Sequence, residues 1–127
     1  MSLKGKLVLI TGCSGGIGSA TALTLARQGA SIAVHYNSHP EKAEKLVAQL
    51  EKENVRAMAF QADLADYDNV RRLHKEVTEK LGHPGILFNN AGATGKVIGQ
   101  MGDIQDVGIE EFERTWKINT GSSYLVN

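Results

Sequence analysis

Four short apolar runs, each separated from the next by a turn and a stretch with helical spacing, limit what this chain can fold into. Lys6–Ile10, Ser31–Tyr36, Val55–Phe60 and Gly85–Phe88 have strand length and are rich in aliphatic and β-branched residues. Between them the apolar positions repeat at helical period. The first such segment carries Ile17, Ala20, Leu23, Leu25 and Ala26, and Gly29 supplies its stop. The second opens at His39-Pro40 and carries Ala43, Leu46, Val47 and Leu50. The third starts from Asp66 as N-cap, runs to about Leu81 and turns Val70, Leu73 and Val77 inward. After the fourth strand a glycine-rich stretch leads to a last helix near Ile109, expected to bury Phe112, Trp116 and Ile118. Strands that alternate with helices predict an α/β chain with a parallel sheet covered on both faces. Right-handed crossovers make that sheet doubly wound, here incomplete, with about four strands and four helices.

Composition removes several function classes. The 127 residues are one domain's worth, and 14 basic against 14 acidic residues give zero net charge. A nucleic-acid or polybasic membrane binder needs a basic excess, so neither partner is expected. No apolar run is long enough to span a bilayer, and Met1–Ile10 shows no secretory h-region. The single cysteine, Cys13, cannot close an internal disulfide, which fits a reducing, cytoplasmic setting. No metal site is expected: Cys13 has no Cys or His at ligand spacing, and Asp63, Asp66 and Asp68 do not continue into a calcium loop.

The segment with most chemistry is Thr11-Gly12-Cys13-Ser14-Gly15-Gly16-Ile17-Gly18, between the first strand and the first helix. Gly12 allows a tight turn off the strand, Gly16 allows close approach of a pyrophosphate, and Gly18 allows the helix to pack close to the sheet. The helix N-terminus then offers free amides and a partial positive charge to phosphates.

This spacing, together with Asn89-Asn90-Ala91-Gly92 after the fourth strand, resembles the short-chain dehydrogenase/reductase family, and within it the 3-oxoacyl-carrier-protein reductase-like members. Asp63-Leu64 after the third strand and Asn119 in the last helix also fall where that family has them, so the resemblance runs the length of the chain. It implies a Rossmann-type fold binding a nicotinamide dinucleotide. Gly12, Ser14, Gly15, Gly16, Ile17 and Gly18 would surround the pyrophosphate and nearby ribose. Asp63 would accept from the adenine amino group beside the Leu64 backbone. Asn90, Ala91 and Gly92 would run under the nicotinamide ribose. Asn119 resembles the family's auxiliary active-site asparagine, which supports a water in a proton relay. The ordinary alternative for Asn90 and Asn119 is a buried amide satisfying backbone groups.

The second strand ends His35-Tyr36-Asn37-Ser38-His39, with no carboxylate before Glu41. An NAD site places an acid on the ribose 2′-hydroxyl at this point. Its absence favours NADP(H) over NAD(H), which remains possible. Tyr36, Asn37 and Ser38 are the expected residues at that ribose, and Ser14, Asn37 and Ser38 would donate to a 2′-phosphate. His35, His39 and Lys42 are candidates for added charge. Gly15 stands where many NADP-preferring relatives carry a basic residue.

The family's catalytic tyrosine and lysine lie four residues apart, and a serine precedes them. The chain contains no Tyr-x-x-x-Lys: Tyr36 is followed at that spacing by Pro40 and Tyr67 by Arg71, while Tyr124 lies three residues from Asn127. The expectation is therefore a cofactor-binding portion, residues 1–127, that stops before the catalytic segment and is inactive alone. Its complete form would act on a small carbonyl or alcohol substrate. An exposed sheet edge or the last helix would then favour a homo-oligomer. Two other readings use the same residues. One is a non-catalytic cofactor-binding or interaction module. The other takes Gly12-Cys13-Ser14-Gly15-Gly16 as a G-x-S-x-G elbow with Ser14 as hydrolase nucleophile and His74 or His83 as base.

Overall fold

The computed structural model describes residues 2–92 and 107–126. Its elements alternate as the apolar pattern requires: β1 (Leu7–Ile10), α1 (Gly16–Arg27), β2 (Ser31–Tyr36), α2 (Pro40–Glu51), β3 (Ala57–Gln61), α3 (Tyr67–Lys80) and β4 (Ile86–Phe88). A last helical stretch comprises α4 (Ile109–Trp116), a π-helical turn (Lys117–Gly121) and α5 (Ser122–Val126). The glycine-rich stretch around Gly95, Gly99 and Gly102 lies outside the described residues.

The strands are parallel, in the order β3-β2-β1-β4. In register, Ile10 lies beside Val34 and Phe88, so β1, β2 and β4 end close to the same level. The loops after them therefore gather along one edge, where open α/β sheets bind ligands. Strand alternation divides the core in two. Val8, Ile10, Ile32 and Val34 meet α1 and α2 through Ala22, Ala26, Leu46 and Leu50. Leu9 and Ala33 point to the other face with Phe60, where Val70, Leu73 and Val77 of α3 and Val126 of α5 cover them.

Local signals work as expected in several places. Asp66 Oδ1 accepts from Asp68 N at 2.9 Å and caps α3. Pro40 opens α2, and Gly29 leaves α1 at φ +98°. Two expectations are corrected. In α1 the buried face is Gly18, Ala22 and Ala26, whereas Ile17 is 72% exposed and Ala20 is exposed too. A stripe of small residues at four-residue spacing lets α1 approach the sheet closely, and Ile17, in the first turn, lies at the sheet's ligand edge. In α4 no residue is buried; Phe112 is 58% and Trp116 50% exposed, and only Ile118, in the π-helical turn, is half-buried. Burial returns at the end of that turn, at Gly121, and continues at Ser122 and Val126. The extra residue of a π-turn shifts the helix phase, so the buried face of α5 does not continue a stripe along α4.

Candidate functional site

The turn after β1 is fixed by contacts from three other parts of the chain. Thr11 N donates to Phe88 O at 3.1 Å, and the buried Thr11 Oγ1 accepts from Asn90 N and Ala91 N, each at 3.0 Å. Gly12 has φ +61°, and a Cβ there would lie 2.8 Å from Ala91 Cα, so both conformation and space require glycine. Gly12 O accepts from Asn90 Nδ2 at 3.1 Å and from Gly15 N at 3.3 Å. A Cβ on Gly18 would sit 2.7 Å from Gly12 O and 2.9 Å from Asn90 Nδ2, which is why the helix can start this close to the turn. The Thr11–Gly18 and Asn89–Gly92 segments are therefore one built unit.

His35 completes it. The ring is buried beneath the turn, with Gly12 N donating to Nδ1 at 2.9 Å and Nε2 2.9 Å from Ala62 O. An amide can only donate and a carbonyl can only accept, so the ring is the neutral Nε2–H tautomer. Burial, partly opposed by the bond to Ala62, holds the His35 pKa below its ordinary value. This corrects the expectation that His35 adds charge at a phosphate. His39 is exposed and lies 3.6 Å from Glu41. Cys13, also buried in the turn, has its thiol pKa pushed up to about 12 by desolvation.

A cleft of about 1170 Å³ opens over this unit. Of the expected residues, Gly12, Gly15, Gly16, Ile17, Asn37, Asp63, Leu64, Asn90, Ala91, Gly92 and Asn119 line it. Ser14, Gly18, Tyr36 and Ser38 do not; Gly18 acts through packing beneath the turn. Asn37 O and Oδ1 lie 3.2 and 3.3 Å from Gln61 Nε2. Asp63 Oδ1 accepts from Ala65 N at 2.9 Å, while Oδ2 lies 3.6 Å from Arg114 Nη1. Asn119, in the π-helical turn, brings Oδ1 to 3.2 Å from the position of a Cβ on Gly92, so these two segments also meet closely.

Sequence reasoning placed His35 at the cleft only as a source of charge, and missed Glu111, Arg114, Thr115 and Ile118 as lining residues. The last four had a legible signal. Counting back from Asn119, they repeat at helical spacing and form one face with it. That polar face turns to the cleft, which leaves Phe112 and Trp116 outward.

Neither histidine considered as a base for Ser14, His74 or His83, lines the cleft. His83 precedes β4, at the opposite, N-terminal edge of the parallel strands, and its ring centroid is 6.2 Å from that of His74. Both His35 ring nitrogens are bonded to backbone. No metal-holding group of three or more His, Cys, Asp or Glu occurs among the described residues. Nor is any helix among them long and apolar enough to cross a membrane.

The sequence and fold have clear counterparts. Versicolorin reductase stcU of Emericella nidulans is 36% identical over 124 residues, covering 98% of this chain and 45% of that protein. A blue fluorescent protein from a metagenomic library, solved in complex with NADPH, aligns with a TM-score of 0.88 at 38% identity, over 99% of this chain and 50% of its own. An NAD⁺-bound xylitol dehydrogenase aligns with a TM-score of 0.85 at 32% identity, over 99% of this chain and 46% of its own. The chain thus spans about half the length of the relatives it matches. A family model described as short chain dehydrogenase matches residues 6–126, and with the parallel sheet and the joined glycine-rich segments already in view, the chain belongs to the short-chain dehydrogenase/reductase family.

Proposed function

We propose that this chain is the NADP(H)-binding portion of an oxidoreductase whose complete form moves hydride between NADP(H) and a carbonyl or alcohol carbon. The observation that carries the reading is the uncapped N-terminus of α1 at the cleft. Gly15 gives no side-chain cap, and a Cβ on Gly16 would meet no atom within 4 Å. The first-turn amides have no intrahelical acceptors, so this corner suits a diphosphate. When bound, the nicotinamide supplies the hydride chemistry. The protein's own residues bind and orient. Gly15, Gly16 and Ile17 face the diphosphate, Asp63 and Leu64 the adenine, and Asn90, Ala91 and Gly92 the second ribose. Asn119 holds a water beside that end.

NADP(H) is preferred to NAD(H) because no carboxylate follows β2 before Glu41, while Asn37 lines the cleft there. The related structures include one with NADPH and one with NAD⁺, so the preference rests on this chain's residues. The lack of Tyr-x-x-x-Lys supports a second reading, a binding module without turnover, for the chain on its own. The exposed Phe112 and Trp116 favour self-association through the last helix, with the outer edge of β4, unpaired among the described residues, as the other contact. A free, buried Cys13 suits a reducing, cytoplasmic setting.

Calorimetric titration tests the reading. NADPH should bind, and more tightly than NADH. Tighter NADH binding would reverse the preference, and no heat with either would remove the assignment. With NADPH and a generic ketone, turnover should be negligible.

A further inference from the structure

We propose that His35 is a positioning residue of the dinucleotide site: its neutral Nε2–H ring holds the Gly12 amide, and so the shape of the phosphate-facing turn, and releases it when the ring takes a second proton. The inference rests on the cofactor reading above.

The geometry leaves the ring one working state. Nδ1 accepts from Gly12 N and Nε2 donates to Ala62 O, each at 2.9 Å, and the next residue's amide, Cys13 N, donates to His35 O at 3.0 Å. His35 thus grips the turn by side chain and backbone together. Gly12 in turn accepts from Asn90 Nδ2 and presses on Ala91, so moving it disturbs both halves of the cleft wall. A doubly protonated ring is donor-only. Nδ1–H would then confront Gly12 N–H, and the part-buried amide would lose its acceptor.

The titratable groups on the surrounding elements are the Cys13 thiol in the turn, Asp63 next to Ala62, and Glu111 and Arg114 on α4. Arg114 already faces Asp63 at 3.6 Å, and both His35 ring nitrogens are occupied by backbone. Burial also disfavours the charged ring. Nucleotide affinity should therefore be full at neutral and higher pH and fall as the ring protonates, below the ordinary histidine range.

Two substitutions separate the ring's two bonds. Asn places an oxygen near Nδ1 and keeps the acceptor for Gly12; Gln places a nitrogen near Nε2 and keeps only the donor for Ala62. The 127-residue chain is titrated with NADP⁺ at pH 8 and pH 5.5, with circular dichroism confirming that each variant is folded. At pH 8, His35→Gln should bind at least tenfold more weakly than His35→Asn. From pH 8 to 5.5 the ratio of wild-type to His35→Asn affinity should fall measurably, and it should fall further as pH drops below the ordinary histidine range; His35→Asn controls for protonation of the nucleotide itself. Nitrogen-15 NMR of the nucleotide-free wild type gives a separate readout. Nδ1 should be unprotonated at pH 8, and the Gly12 amide signal should move with the ring's titration. Equal binding by the two variants, a protonated Nδ1, or a Gly12 amide indifferent to the ring would overturn the proposal. Wild-type chain that binds no NADP⁺ at pH 8 would instead overturn the cofactor reading, and the NMR result would still decide the role of His35.

Discussion

The hydroxyl of Thr11 accepts the amide of Asn90 at 3.0 Å across 79 positions of sequence, and the same oxygen accepts Ala91 N at 3.0 Å. One side-chain atom thereby joins the two most characteristic segments of the chain. Thr11→Val keeps the shape and removes the acceptor, so Ala91 N loses this partner while Asn90 N keeps its second bond, to Phe88 O at 3.0 Å. Each such loss costs about 1–3 kcal/mol. Urea unfolding should show Thr11→Val destabilised by about 1–3 kcal/mol, and Thr11→Ser should recover most of the loss.

Gly12→Ala meets two obstacles together: a left-handed backbone at φ +61° and a Cβ 2.8 Å from Ala91 Cα. The conformational part alone costs about 1–3 kcal/mol. The variant should lose that stability or more in urea unfolding and lose NADPH binding in calorimetry. Gly16→Ala, where a Cβ meets no atom within 4 Å, should keep stability near wild type while weakening NADPH.

Cys13 should behave as an inert thiol. Its pKa is raised from 9.0 to about 12, so the folded state resists losing the proton. Stability is full below 9.0 and declines as pH climbs toward 12, because the unfolded chain ionises first. At pH 8 a disulfide reagent such as Ellman's should label the native chain slowly and the urea-unfolded chain at once. Fast native labelling would contradict the buried placement.

Phe112 and Trp116 present an apolar surface outward from α4. Replacing both by Ser should leave the monomer folded at a cost of about 1–3 kcal/mol, because roughly half of each ring is covered and Trp116 packs against Gly121. Sedimentation velocity at increasing concentration should show the wild type associating and the double variant staying monomeric.

The sheet and the first three helices were legible because their burial follows simple periods. Leu9 and Ala33 face one side, and Val8, Ile10, Ile32 and Val34 the other. Asp66 was legible as a cap because an acidic side chain before an apolar repeat has a local partner to find. The last helix was not, because its apolar residues identify a buried face only when the core takes up that face. Here the cleft claims the side carrying Arg114, Thr115 and Asn119, so Phe112 and Trp116 point away. His35 was misread for a related reason. A histidine among cofactor-loop residues suggests charge, whereas its place in a buried strand, two residues after Ala33, makes it a neutral bridge. Ile17 has helical spacing with the core residues of α1, yet it opens the helix and lines the cleft.

The anchors of the Thr11–Gly12 turn come from His35, Phe88, Asn90 and Ala91, 23 to 80 positions downstream. A growing chain on the ribosome emits the glycine loop among its earliest residues but cannot lock it until Ala91 has emerged. The corner that receives the nucleotide is therefore among the last parts of this sheet to become rigid during synthesis, and a chain stopped short of β4 would carry the loop's letters without its shape.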